Sequence, residues 1–356
     1  MFAGRTAFRR LLILATLADW GMRSGLALAN DWGMGAANDK IPPNNIFTPV
    51  ADPANQISSL AFFVLGVTGA IFLVVGGLLL YSIMRFRARA DDQGREPAQI
   101  YGSTPIEFAW TTVPILIVFA LILTTVRTIY DVQAAPKPDG AINVRVIGHQ
   151  WWWEFQYPDF NITTANELHI PLSDPRNPTP TFLQLVSVDV AHSFWVPRLA
   201  GKTDLIPNKL NTMWIDPHQS GTFLGQCAEF CGTEHALMMF RVVVESRERW
   251  NRWIAAQREA ATQDPSTMRG RQVFESNACI NCHTIRGTIA RGKFGPDLTH
   301  LMSRETIAAG VATNNLQHLK VWLKDPDDMK PGALMPAMNL GDQDVDALVA
   351  YLATLR

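Results

Sequence analysis

Two long apolar runs dominate the first third of the chain, and the pattern changes period after them. No charged residue occurs from Pro53 to Met84. Leu60–Met84 alone would make a helix of roughly 37 Å, at about 1.5 Å per residue, enough to cross a bilayer with some tilt. Phe108–Val126 is a second uncharged run of about 19 residues, near the minimum for a span. Either run could instead be the core helix of a soluble protein, but the length of the first argues against that. Spans are therefore expected at 58–84 and 106–130. Pro114 should kink the second helix unless a neighbour compensates. Glu107, at its start, is by position a carboxylate facing water.

The polar segments around these runs set the orientation. Arg85, Arg87, Arg89 and Arg95 crowd the connection 85–105, which the positive-inside rule puts in the cytoplasm. The segment 30–57 and everything after Tyr130 then lie outside. An export signal is expected at 1–29: Arg5, Arg9 and Arg10 precede the apolar run Leu11–Leu17, and Ala27-Leu28-Ala29 offers a cleavage site. Asp19, Trp20 and Arg23 interrupt that pattern, so an uncleaved anchor or a different start is the competing reading.

After the hinge of Pro136, Pro138 and Gly140 the period becomes two. Ile142–Val146, Gln184–Val188 and Phe240–Val244 alternate, with Gly and Pro between them, which predicts an all-β sandwich or barrel over 140–245. The charged stretch 246–265 reads as a linker. From 266 to 356 the period is helical again, ending in an amphipathic helix that carries Val345, Leu348, Val349, Leu352 and Leu355 on one stripe.

Charge and cysteine content narrow the chemistry. The formal net charge of -1 suggests no nucleic-acid partner. The four cysteines form two tight pairs, Cys227/Cys231 and Cys279/Cys282, each followed by a histidine. A disulfide scaffold would spread its cysteines to staple distant segments, so metal or haem attachment explains both pairs better. In the first cluster, Cys227, Cys231, His235 and Met238 form a soft donor set that selects copper or zinc. A single zinc would want four ligands and no methionine, so Met238 argues for copper. In the second, Cys279-Ile-Asn-Cys282-His283 is the haem c attachment signature, with Cys279 and Cys282 as thioether anchors and His283 as proximal ligand. Met335 and Met338 are the candidates for the sixth ligand. Pro331-Gly332 and Pro336 stiffen the loop around Met335, which favours it.

Several stretches together resemble the family of subunit 2 of the haem–copper cytochrome c oxidases. They are Ser103–Pro114, Gly148-His149-Gln150-Trp151-Trp152-Trp153, Val190–Trp195, Lys202–Pro207 and Cys227–Met238. The segment 266–356 resembles a class I cytochrome c; Lys330-Pro-Gly-Ala-Leu-Met335-Pro matches its ligand loop, and Gly295-Pro296-Asp297-Leu298 the loop whose proline carbonyl accepts from the haem histidine. The resemblance implies a multidomain membrane protein: a two-helix transmembrane hairpin, an all-β cupredoxin-like domain and an all-α cytochrome c domain. It implies a dinuclear copper centre (CuA) with Cys227 and Cys231 bridging, His192 and Met238 completing one copper, and His235 and the Glu229 carbonyl the other. Bridging thiolates let two coppers share one unpaired electron, and a stiff scaffold keeps reorganisation small. The Glu229 side chain would reach a magnesium shared with a partner subunit. Trp151 would be the aromatic through which electrons come in, and Glu107 would stand at a proton pathway. Because side chains alternate along a strand, at least one of Trp151, Trp152 and Trp153 is expected to be exposed.

The implied activity is that of an oxidase subunit. It takes electrons from cytochrome c or a similar donor and passes them to the haem–copper subunit, which reduces oxygen to water with proton translocation. Oxidase subunits 1 and 3 would be its partners, in a bacterial inner membrane with the large C-terminal region outside. The rivals are a dicopper component of a nitric or nitrous oxide reductase, which the hairpin with Glu107 argues against, and a copper-delivery protein, which would need no covalent haem. A quinol oxidase subunit would lack the copper ligands.

Overall fold

The computed structural model describes residues 44–87, 98–133, 141–174 and 176–356. The proposed export signal, most of the N-terminal segment, the centre of the Arg-rich connection and the Pro-rich hinge lie outside these residues.

The two apolar runs form one compact unit, a pair of helices: α1 (Asp52–Arg85) and α2 (Thr104–Gln133). Both extend past the expected spans, because Asp52 and Glu107 in the first turns suit the positive helix N-terminus. α2 continues through Pro114. Their apolar side chains face outward, Phe72 being 74 % and Phe108 67 % exposed. A soluble core helix would bury such residues, so this exposure suits lipid or protein contact within a bilayer.

The alternating segments form two five-stranded sheets packed face to face. One has the order β3 (Ile162–Ala165), β2 (Trp152–Tyr157), β1 (Ile142–His149), β5 (Thr181–Ser187), β8 (Asn211–Ile215). The other has β4 (Glu167–Pro171), β10 (Met239–Glu245), β9 (Gly221–Cys227), β6 (His192–Trp195), β7 (Thr203–Leu205). Alternation decides what is inside: Phe240, Val242 and Val244 of β10 are buried, and the residues between them are partly exposed. Trp153, Phe155, Phe194 and Phe240 form the aromatic centre, with the rings of Phe194 and Phe240 stacked at 4.4 Å. Val50 and Ala51 join this sandwich by backbone pairing with Arg198 and Pro217.

The charged stretch expected to be a linker is a helix, α3 (Arg247–Arg258), packed on the sandwich. Trp250, Ile254 and Gln257 recur at helical spacing and are buried, so a mostly polar sequence still carries one inward stripe. Ser246 caps it by accepting from Arg249 N.

The last region is helical apart from a small ribbon, β11 (Thr306–Ile307) and β12 (Ala312–Thr313). Its first helix, α4 (Met268–Ser276), crosses the terminal helix α8 (Asp342–Leu352), with the short α5 (Cys279–Cys282), α6 (Leu316–Lys324) and α7 (Pro326–Met329) between them in sequence. The crossing depends on Gly270, where a Cβ would come within 1.9 Å of the Ala347 carbonyl. Phe274 and Tyr351 pack beside it with ring centroids 6.1 Å apart.

Candidate functional site

The first site lies at one end of the sandwich, where β9 ends at Cys227 and β10 begins at Met239. The connecting loop turns through a short 3-10 segment at His235–Leu237, and β6 supplies His192 from the neighbouring strand. Four of the expected donors are buried: Cys227, Cys231, His192 and Met238. The sulfurs of Cys227 and Cys231 stand 3.8 Å apart. His192 Nδ1 is 4.0 Å from Cys227 Sγ, His235 Nδ1 is 3.8 Å from Cys231 Sγ, and Met238 Sδ is 3.9 Å from Cys231 Sγ. The Glu229 carbonyl oxygen lies 3.2 Å from Cys227 Sγ.

The titratable groups of the cluster are tightly coupled. A disulfide needs sulfurs about 2.05 Å apart, so this pair is two thiols. The contact between the two sulfurs lowers the pKa of Cys227 and raises that of Cys231, burial adding to the rise. Burial opposes charge on His192, yet its hydrogen bonds with Asp189 and Cys227 outweigh this and hold its pKa above the ordinary value. Asp189 Oδ1 sits 2.8 Å from His192 Nε2. A carboxylate here accepts, so Nε2 carries the proton and Nδ1 can turn its lone pair toward the sulfurs. The donors fit copper: thiolate–metal bonds are about 2.3 Å, and two sulfurs 3.8 Å apart can share a metal because their separation is less than twice that length. Metal ions would take the place of the protons that now hold the cluster together.

The second site is a cavity in the helical region. Cys279, Cys282, His283, Leu319, Met335 and Met338 are among its lining residues. His283 Nδ1 is 2.8 Å from the Pro296 carbonyl. A carbonyl only accepts, so Nδ1 carries the proton and Nε2 keeps its lone pair for a metal. Burial lowers the pKa of His283, which favours the neutral ligand form. Arg304 also lines the cavity; it is buried, donates to the Asp297 carbonyl, and its Nε has no partner among the described residues. An apolar hollow beside a buried guanidinium with one N–H left to donate fits haem, a flat apolar group bearing two carboxylates. Both methionines reach the cavity, and Met335 alone of the two packs against the core of this region. Sequence reasoning passed over Arg304, whose burial no local pattern announces.

The tryptophan run departs from expectation. Trp153 is fully buried, while Trp151 and Trp152 are half-buried and line the haem-sized cavity. None of the three is exposed, because the helical region packs over the strand end. Trp151 precedes β2 and its indole N–H donates to the Cys231 carbonyl at 3.0 Å. Glu229 is exposed at the site's edge. Glu107 Oε1 accepts from Ser103 N at 3.2 Å, which makes it a cap of α2.

Comparison with known proteins agrees with this architecture. Three families match: the cytochrome C oxidase subunit II transmembrane domain over 44–127, the cytochrome C oxidase subunit II periplasmic domain over 175–247, and cytochrome c over 267–356. Cytochrome c oxidase subunit 2 of Alkalihalophilus pseudofirmus is 35 % identical over 297 residues, covering 82 % of this chain and 84 % of the relative. The same subunit of Bacillus sp. strain PS3 is 34 % identical over 291 residues, covering 76 % and 80 %. The crystallised periplasmic domain of subunit II from Bradyrhizobium japonicum aligns at 27 % identity over 34 % of this chain and 96 % of its own, with a TM-score of 0.32. These families carry copper and haem, and the two outward-facing apolar helices are membrane spans. The chain is a member of the cytochrome c oxidase subunit 2 family, with a cytochrome c domain at its C-terminus.

Proposed function

We propose that this chain carries electrons into the oxygen-reducing subunit of a haem–copper oxidase through a dinuclear copper centre and a covalently held haem c. The observation that carries the reading is the gathering of two thiols, two imidazoles, a thioether and a carbonyl around one sulfur pair 3.8 Å apart. When bound, the copper pair and the haem supply one-electron chemistry without bond making or breaking. Cys227 and Cys231 would be shared between the two coppers, with His192 and Met238, His235 and the Glu229 carbonyl completing the set that holds them. The exposed Glu229 carboxylate would help hold a magnesium shared with subunit 1. Cys279 and Cys282 would anchor the haem, and His283 and Met335 would ligate its iron. Trp151 bridges the two sites: its ring lines one cavity and its N–H holds the Cys231 carbonyl of the other. Glu107 stands at the mouth of a proton pathway in the partner. Subunits 1 and 3 surround the hairpin in a bacterial inner membrane, the large C-terminal region faces the periplasm, and a cytochrome c or similar protein is the donor.

Metal and haem analysis of the purified native complex tests this directly. Two coppers and one covalently attached haem per chain are expected, with a delocalised mixed-valence EPR signal. One copper per folded chain would refute the dinuclear assignment. Trp151→Phe should slow reduction of the copper centre without changing copper content; an unchanged rate would move the route elsewhere.

A further inference from the structure

Between the two sites lies a contact that neither uses for ligation. Lys330, on the haem loop, and Glu234, on the copper loop, form an ion pair of 2.8 Å with side chains only 4 % and 2 % exposed. Lys330 Nζ also donates to the Trp151 carbonyl at 2.7 Å. Gly332, at φ 95°, lets the haem loop lie flat here; a Cβ on it would meet Thr233 at 3.0 Å. A second clasp holds the other side. Glu167 of β4 is 2 % exposed, and its Oε1 accepts from Glu305 N at 2.8 Å, Thr306 N at 2.9 Å and Thr306 Oγ1 at 3.1 Å. Met239 N donates to the Ala309 carbonyl at 3.1 Å, and Arg241 pairs with Glu305.

We propose that Lys330 is a positioning residue for transfer between the sites: with Glu234 and the Trp151 carbonyl, and with Glu167 as a second clasp, it locks the cytochrome domain on the dicopper domain in one fixed pose. The inference rests on the dicopper and haem c assignment above. A domain joined only by a chain would need exposed, exchangeable contacts at its interface, as transient partners have. Here two carboxylates are buried at the interface and each is paired with the opposite domain through one of its oxygens, an arrangement that selects a single pose because any shifted one would leave a buried charge unpaired. The clasp also fastens three things to one ammonium: the haem loop that carries Met335, the copper loop that carries His235, and the backbone of Trp151. Packing of the cytochrome domain leaves Trp151 and Trp152 only partly exposed, which favours delivery by an external donor to the haem.

The test uses the full chain in its native complex. Lys330→Met keeps the length and removes the charge; Lys330→Arg keeps the charge. In the wild type, reduction of the dicopper centre after rapid photoreduction of the haem should not depend on solvent viscosity, because no domain movement is needed. In Lys330→Met the rate should fall at least about tenfold and become viscosity-dependent. Amide hydrogen exchange at 305–309 and 150–153 should speed up, while the copper EPR signal and haem spectrum stay as they were. Lys330→Arg should restore most of the rate. Glu167→Gln, which touches neither site, should loosen the same amides, and it serves if Lys330→Met does not assemble. Loss of the copper EPR signal in the wild type would count against the dicopper assignment and not against the clasp, whose hydrogen-exchange readout needs no copper. A viscosity-dependent wild type, or Lys330→Met and Glu167→Gln with unchanged exchange, would overturn the proposal.

Discussion

The dicopper and haem regions solve one problem, holding a redox group, in opposite ways. The copper donors sit on strands and a strand-to-strand loop, and the sandwich core continues right up to them: Cys227, Cys231 and Met238 belong to the same buried cluster as Trp153 and Phe240. The residues proposed to hold haem instead ring a hollow, and the buried cluster of that region lines it. A sheet with a closed hydrophobic core can keep its ligands in place by itself. A small helical shell cannot, because the haem is itself a large part of the core it needs.

That contrast can be broken first at the haem. Replacing Cys279 and Cys282 by alanine should leave the cytochrome region without its central group. Loss of its helical circular dichroism is expected, with the copper EPR signal retained; a folded cytochrome region in this variant would remove the distinction. The converse change is confined. Cys227→Ser or Cys231→Ser should abolish the mixed-valence EPR signal and leave haem absorbance and helix content intact. Asp189→Asn tests how far the scaffold orients a ligand. It weakens the acceptor for His192 Nε2–H, and copper affinity should fall about 10- to 100-fold, measured by chelator competition. Met335→His should lower the haem potential strongly, since imidazole favours ferric iron more than a thioether does, while Met338→Leu should shift it little. The smallest effect is expected at Glu107, outside both regions. Glu107→Ala should slow turnover with electron delivery unchanged if it serves protons; equal turnover would leave it as the helix cap that Ser103 indicates.

Motif chemistry and periodicity were the legible parts of the sequence. Cys279-Ile-Asn-Cys282-His283 suggests its group by spacing, since the proposed covalent attachment and axial ligation would come from adjacent residues. The two uncharged runs pointed to the hairpin because each is long enough to cross a bilayer. The alternation around Phe240–Val244 declared the sandwich. His192 was legible only through the surrounding Val190–Trp195 pattern, since it lies 35 residues from Cys227 and meets it by strand pairing.

Other features belonged to the tertiary structure alone. Alternation along β2 would place one of Trp151, Trp152 and Trp153 in solvent, but another domain's surface covers that strand end, and strand period carries no information about what lands on it. The helix at Arg247–Arg258 looked like a linker because three buried positions in twelve barely mark a polar sequence, and only the groove they fit makes them a face. Arg304, Lys330, Glu234 and Glu167 look in sequence like ordinary surface charges. The burial of Lys330, Glu234 and Glu167 arises where distant segments meet, as Lys330 and Glu167 do with Trp151 and Thr306, and long-range meeting is decided by packing of whole domains. Local pattern thus determined which groups this protein can hold, and the packing of one domain on the other decided how the two sites face each other.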